Sequence, residues 1–421
     1  MGRNMATRAG IMLAMALLAA SAASRLGAEE GPAGGQDFAL IERGRYLATA
    51  ADCGACHNDP EGGRPFAGGR AIETPFGRLV APNITPDLET GIGTWSEADF
   101  EAAVRRGKLP GGQLLYPAMP FVYYRKMSRD DVRAIRAYLA TVAPAHHAVK
   151  SDQLPFPFSI RTSMHFWDSL YFRDAPFKSD AKKSAAWNRG AYLVEGPAHC
   201  GACHTPKTSL GGDDPDQYLQ GYGLQGWFAP DITNDKQRGI GLWTAEDVVS
   251  YLKTGHNRFD AASGPMGEVV SRSTSKMSDA DLDDIAAYLK DQPGRSRNAA
   301  PLPANDPLMQ AGAAIYRDQC SACHKLDGTG VPKLIPDLTR SAAVAAQDPT
   351  TLLQVVLHGA QSVATPQEPT GPAMPAYGKQ LSDAEVAAIA TYLRNSWGHA
   401  APALSESDVS AARSRLSTRT E

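Results

Sequence analysis

Three stretches of this chain repeat one pattern of polar and apolar positions. Ser128, Ser278 and Ser382 are each followed, three residues on, by an acid: Asp131, Asp281 and Glu385. Apolar residues then recur at offsets of 0, 3, 6 and 7, as Val132, Ile135, Tyr138 and Leu139, then Leu282, Ile285, Tyr288 and Leu289, then Val386, Ile389, Tyr392 and Leu393. That spacing lies on one face of an amphipathic helix. A Ser with an acid three residues beyond it is the capping-box signature of a helix start, the acid reaching back to the cap's backbone N–H. Three further helical segments lie upstream, around Arg43-Gly44-Arg45-Tyr46-Leu47, Arg189-Gly190-Ala191-Tyr192-Leu193 and Ala311-Gly312-Ala313-Ala314-Ile315-Tyr316. A glycine inside a helix costs about 1 kcal/mol relative to Ala. Each is therefore expected where the capped helix of the same unit crosses closely, and the tyrosines of the capped helices read as core.

Between these helices the first two units share a further element. Asn83-Ile84-Thr85-Pro86-Asp87 leads to Gly91-Ile92-Gly93-Thr94-Trp95, and Asp231-Ile232-Thr233-Asn234-Asp235 leads to Gly239-Ile240-Gly241-Leu242-Trp243. Both run into a helix ending at a glycine, Gly107 and Gly255. The third unit keeps only Pro336-Asp337-Leu338-Thr339, then a helix from about Pro349 to Gly359. The expected architecture is mainly α, with three tandem units at 36–142, 186–292 and 308–400 and long ordered loops. Linkers at 143–185 and 293–307 join them, and 401–421 is expected to be a mobile polar tail with one short helix from Asp408 to Leu416.

Two stretches break the repeat. Arg3 and Arg8 precede the apolar run Ile11 to Ala20, and small residues follow at Ala20-Ser21-Ala22 and Gly27-Ala28. This is the pattern of a secretory signal peptide, expected within residues 1–28. The run is shorter than the about 20 apolar residues that a membrane-spanning helix needs. The first linker carries Leu154-Pro155-Phe156-Pro157-Phe158, then Phe166, Trp167, Leu170, Tyr171 and Phe172. It is either a strap buried between units or an exposed apolar patch for a partner subunit or the membrane surface.

Composition narrows the chemistry. The 421 residues carry a formal net charge of -3, so no bulk basic field points to nucleic acid. All six cysteines fall in three pairs, each followed by a histidine: Cys53, Cys56 and His57; Cys200, Cys203 and His204; Cys320, Cys323 and His324. C-x-x-C-H is the attachment signature of c-type haem. Two thiols three residues apart share one side of a helical turn and add across the haem vinyl groups, and the adjacent His turns in to the iron. Three copies imply three covalently bound haem c groups and hence three cytochrome c-type domains. A zinc site built from C-x-x-C pairs leaves the His after every pair unexplained. Disulfides within each pair would close strained small loops.

An iron held by His on one side needs a second ligand to be a stable electron carrier, and a thioether raises its potential. Met119 lies 62 residues after His57, Met266 lies 62 after His204, and Met374 lies 50 after His324. Met119 and Met374 sit in Pro-Ala-Met-Pro, and Met266 in Gly264-Pro265-Met266-Gly267. These are expected to be proline-stiffened loops that hold a ligand without helix support. Met127 and Met277, just before the capping serines, read as packing residues, and Met309 is a further rival. Trp95 and Trp243 are candidates to line the haem and to bond a propionate, or are simply core. His146, His147, His199, His256, His358 and His399 are assigned to no iron.

With these motifs in view, the chain resembles the triheme cytochrome c subunits of membrane-bound bacterial dehydrogenases for alcohols, gluconate, sorbitol, fructose and glucose. The resemblance rests on Asn83-Ile84-Thr85-Pro86-Asp87, Leu115-Tyr116-Pro117-Ala118-Met119-Pro120, Trp187-Asn188-Arg189-Gly190-Ala191-Tyr192-Leu193 and Gly264-Pro265-Met266-Gly267-Glu268-Val269-Val270. It implies an electron-transfer subunit with no substrate chemistry of its own. Such a subunit takes electrons from a flavoprotein or quinoprotein dehydrogenase, with a small third subunit in some complexes. It passes them to ubiquinone, or to a soluble cytochrome or oxidase, on the periplasmic side of the inner membrane. Two other classes compete: a haem enzyme of the peroxidase or nitrogen-oxide reductase type, with Met266 the place to look, and a cytochrome subunit of a terminal oxidase.

Overall fold

The structure is a computed structural model that describes residues 37–295 and 300–417. Residues 1–28, where a signal peptide is expected, and residues 296–299 of the second linker lie outside the described residues. The fold is mainly α, with short strands between helices. Each unit is framed by an opening helix (Phe38–Ala50, Ala185–Glu195, Pro307–Ile315) and a closing helix (Arg129–Leu139, Asp279–Leu289, Asp383–Leu393). A two-stranded antiparallel ribbon follows the first cysteine pair, Ala71–Thr74 with Gly77–Val80, and the strand Asp152–Gln153 of the linker extends it. Its counterpart in unit two pairs Gln220–Leu224 with Trp227–Asp231. Unit three has only the short pair Ala360–Gln361 and Ala373–Met374.

The opening and closing helices cross where the glycines lie. A Cβ at Gly44 would stand 1.9 Å from the Ala134 carbonyl oxygen, one at Gly190 1.8 Å from that of Asp284, and one at Gly312 2.3 Å from that of Ala388. No side chain fits at these distances, so the crossing explains the helix-weakening residue. Around each crossing sits a separate apolar cluster. Leu47, Phe100, Ile135 and Leu139 centre the first, Leu193, Leu282, Ile285 and Tyr288 the second, and Val356, Val386, Ile389 and Leu393 the third. Of the closing-helix tyrosines, Tyr288 is buried, and Tyr138 and Tyr392 pack on their clusters part-buried.

The capping serines all accept from the backbone N–H three residues on, at 3.1, 3.2 and 3.3 Å. Only Ser382 closes the expected box, its backbone N–H donating to Glu385 Oε2 at 2.8 Å. In units one and two the acid faces elsewhere. Asp131 accepts from Arg43 Nε at 2.7 Å and from the Tyr192 hydroxyl, and Asp281 accepts from Arg189 Nε at 2.8 Å and from the Tyr46 hydroxyl. The freed N–H groups of Ser128 and Ser278 donate to those same tyrosine oxygens, at 3.2 and 3.3 Å. Unit three has Ala311 and Ala314 where the other two have Arg and Tyr, which leaves Glu385 free to close its own cap.

The tail carries the short helix expected of it, but is docked rather than mobile. Glu406–Ser417 is a helix, and Leu404, Val409 and Ala412 are buried in the third cluster. Arg413 bonds Asp383 Oδ1 at 2.8 Å. The tail is therefore a docked part of unit three, held by three inward apolar residues among many polar ones. The first linker does both of the things considered for it. Trp167 is buried, its Nε1 donating to the Leu210 carbonyl at 2.9 Å, while Phe156 is 81% and Phe166 65% exposed. No helix among the described residues is long and apolar enough to cross a membrane.

Two substitutions check this packing. Gly190→Val, which drives a side chain into the Asp284 carbonyl, is expected to cost more than about 3 kcal/mol. Gly223→Ala, whose Cβ would meet nothing nearer than 4.0 Å, is expected to stay within about 0.5 kcal/mol in denaturant unfolding of the same chain. Val409→Asp puts an unpaired carboxylate in the third cluster and is expected to lower the unfolding midpoint of unit three, whereas a free tail would leave it unmoved.

Candidate functional site

Each cysteine pair lies on a single helical turn ending in its histidine: Cys53–His57, Gly201–His204 led by Cys200, and Ser321–His324 led by Cys320. In units one and two a left-handed residue precedes the first cysteine, Asp52 with φ 49° and His199 with φ 38°. Neither is a glycine, so this is held strain at a site; it redirects the chain just before the attachment turn. Unit three reaches the same end through a π-helical turn, Tyr316–Cys320. Cys53, Cys200 and Cys320 each pack on the cluster of their own unit.

The three histidines share one hydrogen-bond partner type. Nδ1 of His57 lies 2.8 Å from the Pro82 carbonyl oxygen, that of His204 2.7 Å from Pro230, and that of His324 3.3 Å from Pro336. A carbonyl can only accept, so Nδ1 carries the proton and Nε2 keeps its lone pair for a metal. Burial holds all three rings below the ordinary histidine pKa, against a smaller opposite effect of the proline bond. They are neutral, as a ligand must be. Sequence reasoning missed this orienting group, although a proline immediately precedes Asn83, Asp231 and Asp337 in the shared element.

The thiols of Cys53, Cys56, Cys200 and Cys320 are protonated. Burial pushes Cys53 and Cys200 up to about 12, and Cys56 and Cys320 up to about 11. All six are free, and among the described residues no group of three or more His, Cys, Asp or Glu side chains converges as a metal site would require. Thiols held protonated in this way suit thioether attachment better than thiolate coordination.

The methionines fall into two kinds. Met119 follows a turn closed by its N–H on the Tyr116 carbonyl at 3.2 Å, and Met374 ends the short strand pair of unit three. They pack on the clusters that also take in Cys53 and Cys320. Met266 is instead the third residue of the helix Gly264–Arg272, and the second cluster takes in Cys200 without it. The expected loop is a helix here because Pro265 lies before the methionine, where its fixed φ starts a helix. Met127, Met277 and Met309 are buried packing residues.

Trp95 packs part-buried on the cluster that also takes in Cys53 and Met119. Trp243 is buried and stacks on Phe259 with ring centroids 6.0 Å apart. Its indole N–H donates to the Arg340 carbonyl at 3.2 Å, so that proton is already taken by the protein. Unit three, which lacks a tryptophan in the turn, brings Trp397 from beyond its closing helix against Tyr316 at 5.4 Å. Only its place after the closing helix hid it. His199 bonds the Pro197 carbonyl through Nδ1, and His147 and His399 bond Ala67 and Leu338 carbonyls.

Repeated attachment turns with proline-oriented histidines on a mainly α frame define a multi-domain cytochrome c. The chain belongs to the Cytochrome c family, whose profile matches residues 41–143, 188–293 and 309–397. Membership indicates covalently bound haem c. The chain is similar to the gluconate 2-dehydrogenase cytochrome c subunit of Pantoea cypripedii, at 39% identity over 87% of each chain. It is also similar to the fructose dehydrogenase cytochrome subunit of Gluconobacter japonicus, at 36% identity over 86% of this chain and 80% of that one. A third relative is the cytochrome c subunit of the quinone-type alcohol dehydrogenase of Gluconobacter oxydans, at 36% identity over 89% and 82%.

One half-buried acid sits where units two and three meet. Asp260 accepts from Ser341 Oγ at 2.6 Å and from the Ala342 N–H at 2.8 Å. Burial nonetheless pushes its carboxyl up to about 7. A carboxyl raised on folding contributes stability at low pH that is lost as pH rises from about 4 to about 7. Asp52, also pushed to about 7 by burial, shares that window. Asp260→Asn is therefore expected to flatten, without abolishing, the fall in Tm between pH 5 and pH 7.5, read by calorimetry of both proteins; an unaltered slope would remove Asp260 from the account.

Proposed function

We propose that this chain is the electron-transfer subunit of a membrane-associated dehydrogenase complex, with no substrate chemistry of its own. The observation that carries the reading is the similarity, over most of the chain, to cytochrome subunits of gluconate, fructose and alcohol dehydrogenases. Three haem c groups are held, one per unit, through Cys53 and Cys56, Cys200 and Cys203, and Cys320 and Cys323. His57 with Met119, His204 with Met266, and His324 with Met374 would supply the side chains that hold the three irons. When bound, each haem supplies a one-electron couple. The chain's part would be to fix the imidazole tautomer, to shield the ring from water, and to present a thioether as the second ligand. Trp95 packs at the first attachment turn, and Trp243 at the second acts as a core residue.

The catalytic partner is a flavoprotein or quinoprotein dehydrogenase for an alcohol, aldehyde or sugar, with a small third subunit as a further component. Ubiquinone, or a soluble cytochrome or oxidase, is the acceptor. The apolar run Ile11 to Ala20 behind Arg3 and Arg8 supports export to the periplasmic side of the inner membrane. Exposed Phe156, Phe158, Ile160, Phe166 and Leu170 support contact with a partner subunit or the membrane surface.

The helical setting of Met266 favours one second reading, a haem in unit two that is open and reactive. Met266→Ala separates the two. Closed ligation predicts that one haem passes from low to high spin in the absorption spectrum and gains carbon monoxide binding. An unchanged spectrum would remove Met266 from the iron. The partner is tested by reduction. The purified complex is expected to reduce its haems on adding the dehydrogenase substrate, and the isolated chain is not.

A further inference from the structure

We propose that units one and two form a single two-site body, related by an approximate two-fold axis. In it Tyr46 and Tyr192 are positioning residues that hold the two attachment turns against one another. The inference rests on the electron-transfer reading of the chain and adds to it which two sites are built as a pair.

The first ground is reciprocity. Tyr46, on the opening helix of unit one, donates to Asp281 on the closing helix of unit two and accepts from the Ser278 N–H. Tyr192, on the opening helix of unit two, donates to Asp131 on the closing helix of unit one and accepts from the Ser128 N–H. Residue i meeting j while j's counterpart meets i's counterpart is the mark of a two-fold interface. Each carboxylate is completed by the arginine of its own unit, Arg43 or Arg189. Burial raises the Asp281 carboxyl, but the bonds from Arg189 and Tyr46 outweigh it and keep the pKa below its ordinary value. Both acids are buried, so a tyrosine withdrawn from either leaves an unsatisfied carboxylate and an unsatisfied N–H.

The second ground is independent of these side chains. The segment after each unit's methionine presses on the other unit's attachment turn. Arg272 and Ser273, beyond Met266, donate to the Ala55 and Ala50 carbonyls at 3.4 and 3.2 Å. Tyr123 and Tyr124, beyond Met119, reach unit two. The Tyr123 hydroxyl lies 2.7 Å from where a Gly201 Cβ would be, and the Tyr124 ring stands edge-on to His199 at 5.4 Å. Both attachment turns thus lie along one shared interface.

Unit three stands outside this arrangement. It lacks the arginine and tyrosine, and it meets unit two through unreciprocated bonds: Thr351 with Phe228, the Trp243 indole with the Arg340 carbonyl, and Asp260 with Ser341. Electrons shared between the first two sites move within one body, and exchange with the third crosses a different junction.

The test is Tyr46→Phe combined with Tyr192→Phe in the full haem-loaded chain, with Tyr316→Phe as control because that hydroxyl bonds Lys325 within unit three. Two haems on facing turns are expected to give a two-signed circular-dichroism couplet in the Soret band. The double variant is expected to keep its haem count and ligation spectrum while losing at least half of the couplet. The calorimetric transition of units one and two is expected to fall by about 5 °C, with that of unit three unmoved. The control is expected to leave the couplet intact. If the double variant yields no loaded protein, each single variant is expected to weaken the couplet to a similar degree. An unchanged couplet and an unchanged joint transition, in the double or in both singles, would overturn the proposal. Carbon monoxide binding by the unaltered chain would count against the relay reading alone, since the couplet does not depend on it.

Discussion

The structure depends on one steric constraint, a backbone carbonyl seated where a side chain would otherwise be. At Gly44, Gly190 and Gly312 the closing helix comes so near that no Cβ fits. That approach fixes the angle between the two helices of each unit, the apolar cluster around them, and the point at which the opening helix ends. The attachment turn begins there, with its first cysteine against the cluster. A unit with a larger residue at the crossing would move its cysteines and histidine away from the loop that supplies the proline carbonyl and the methionine.

What was legible in the chain is what has a short, local signature. The capped helices were visible because Ser and an acid three residues on precede a 3.6-residue period, and the attachment turns because thiols and histidine must share one turn. The spacing also brought Met119, Met266 and Met374 forward, although not the helix that carries Met266. What stayed hidden works over distance or through the backbone. The carbonyls of Pro82, Pro230 and Pro336 that orient the histidines belong to a repeated motif, but backbone acceptors leave no side-chain signal. Asp131 and Asp281 fitted a capping box locally and were drawn off by a tyrosine of the other unit. The difference lay in the sequence of unit three, where alanines stand in place of Arg and Tyr and the box closes. The docked tail was misread for a similar reason, since three inward apolar residues among many polar ones carry a weak periodic signal.

The electrostatics follow from the same burial. Neutral imidazoles and protonated thiols are what covalent haem attachment asks for, and burial is the larger cause in every case. The same burial leaves Asp52 and Asp260 as acids near neutrality at the two junctions between units. Charge at the first two attachment turns comes from Arg70 and Arg272, which donate to the Ala55 carbonyl, and from Lys207, which donates to that of Gly201.

The most direct test of the central claim is made on the exported protein, reduced under carbon monoxide and then assayed for haem in alkaline pyridine. Three closed His/Met sites predict three haems per chain, a c-type spectrum with a weak sulfur-to-iron band at the red end, and no carbon monoxide adduct. Fewer than three haems, or a fast adduct at any of them, would contradict it.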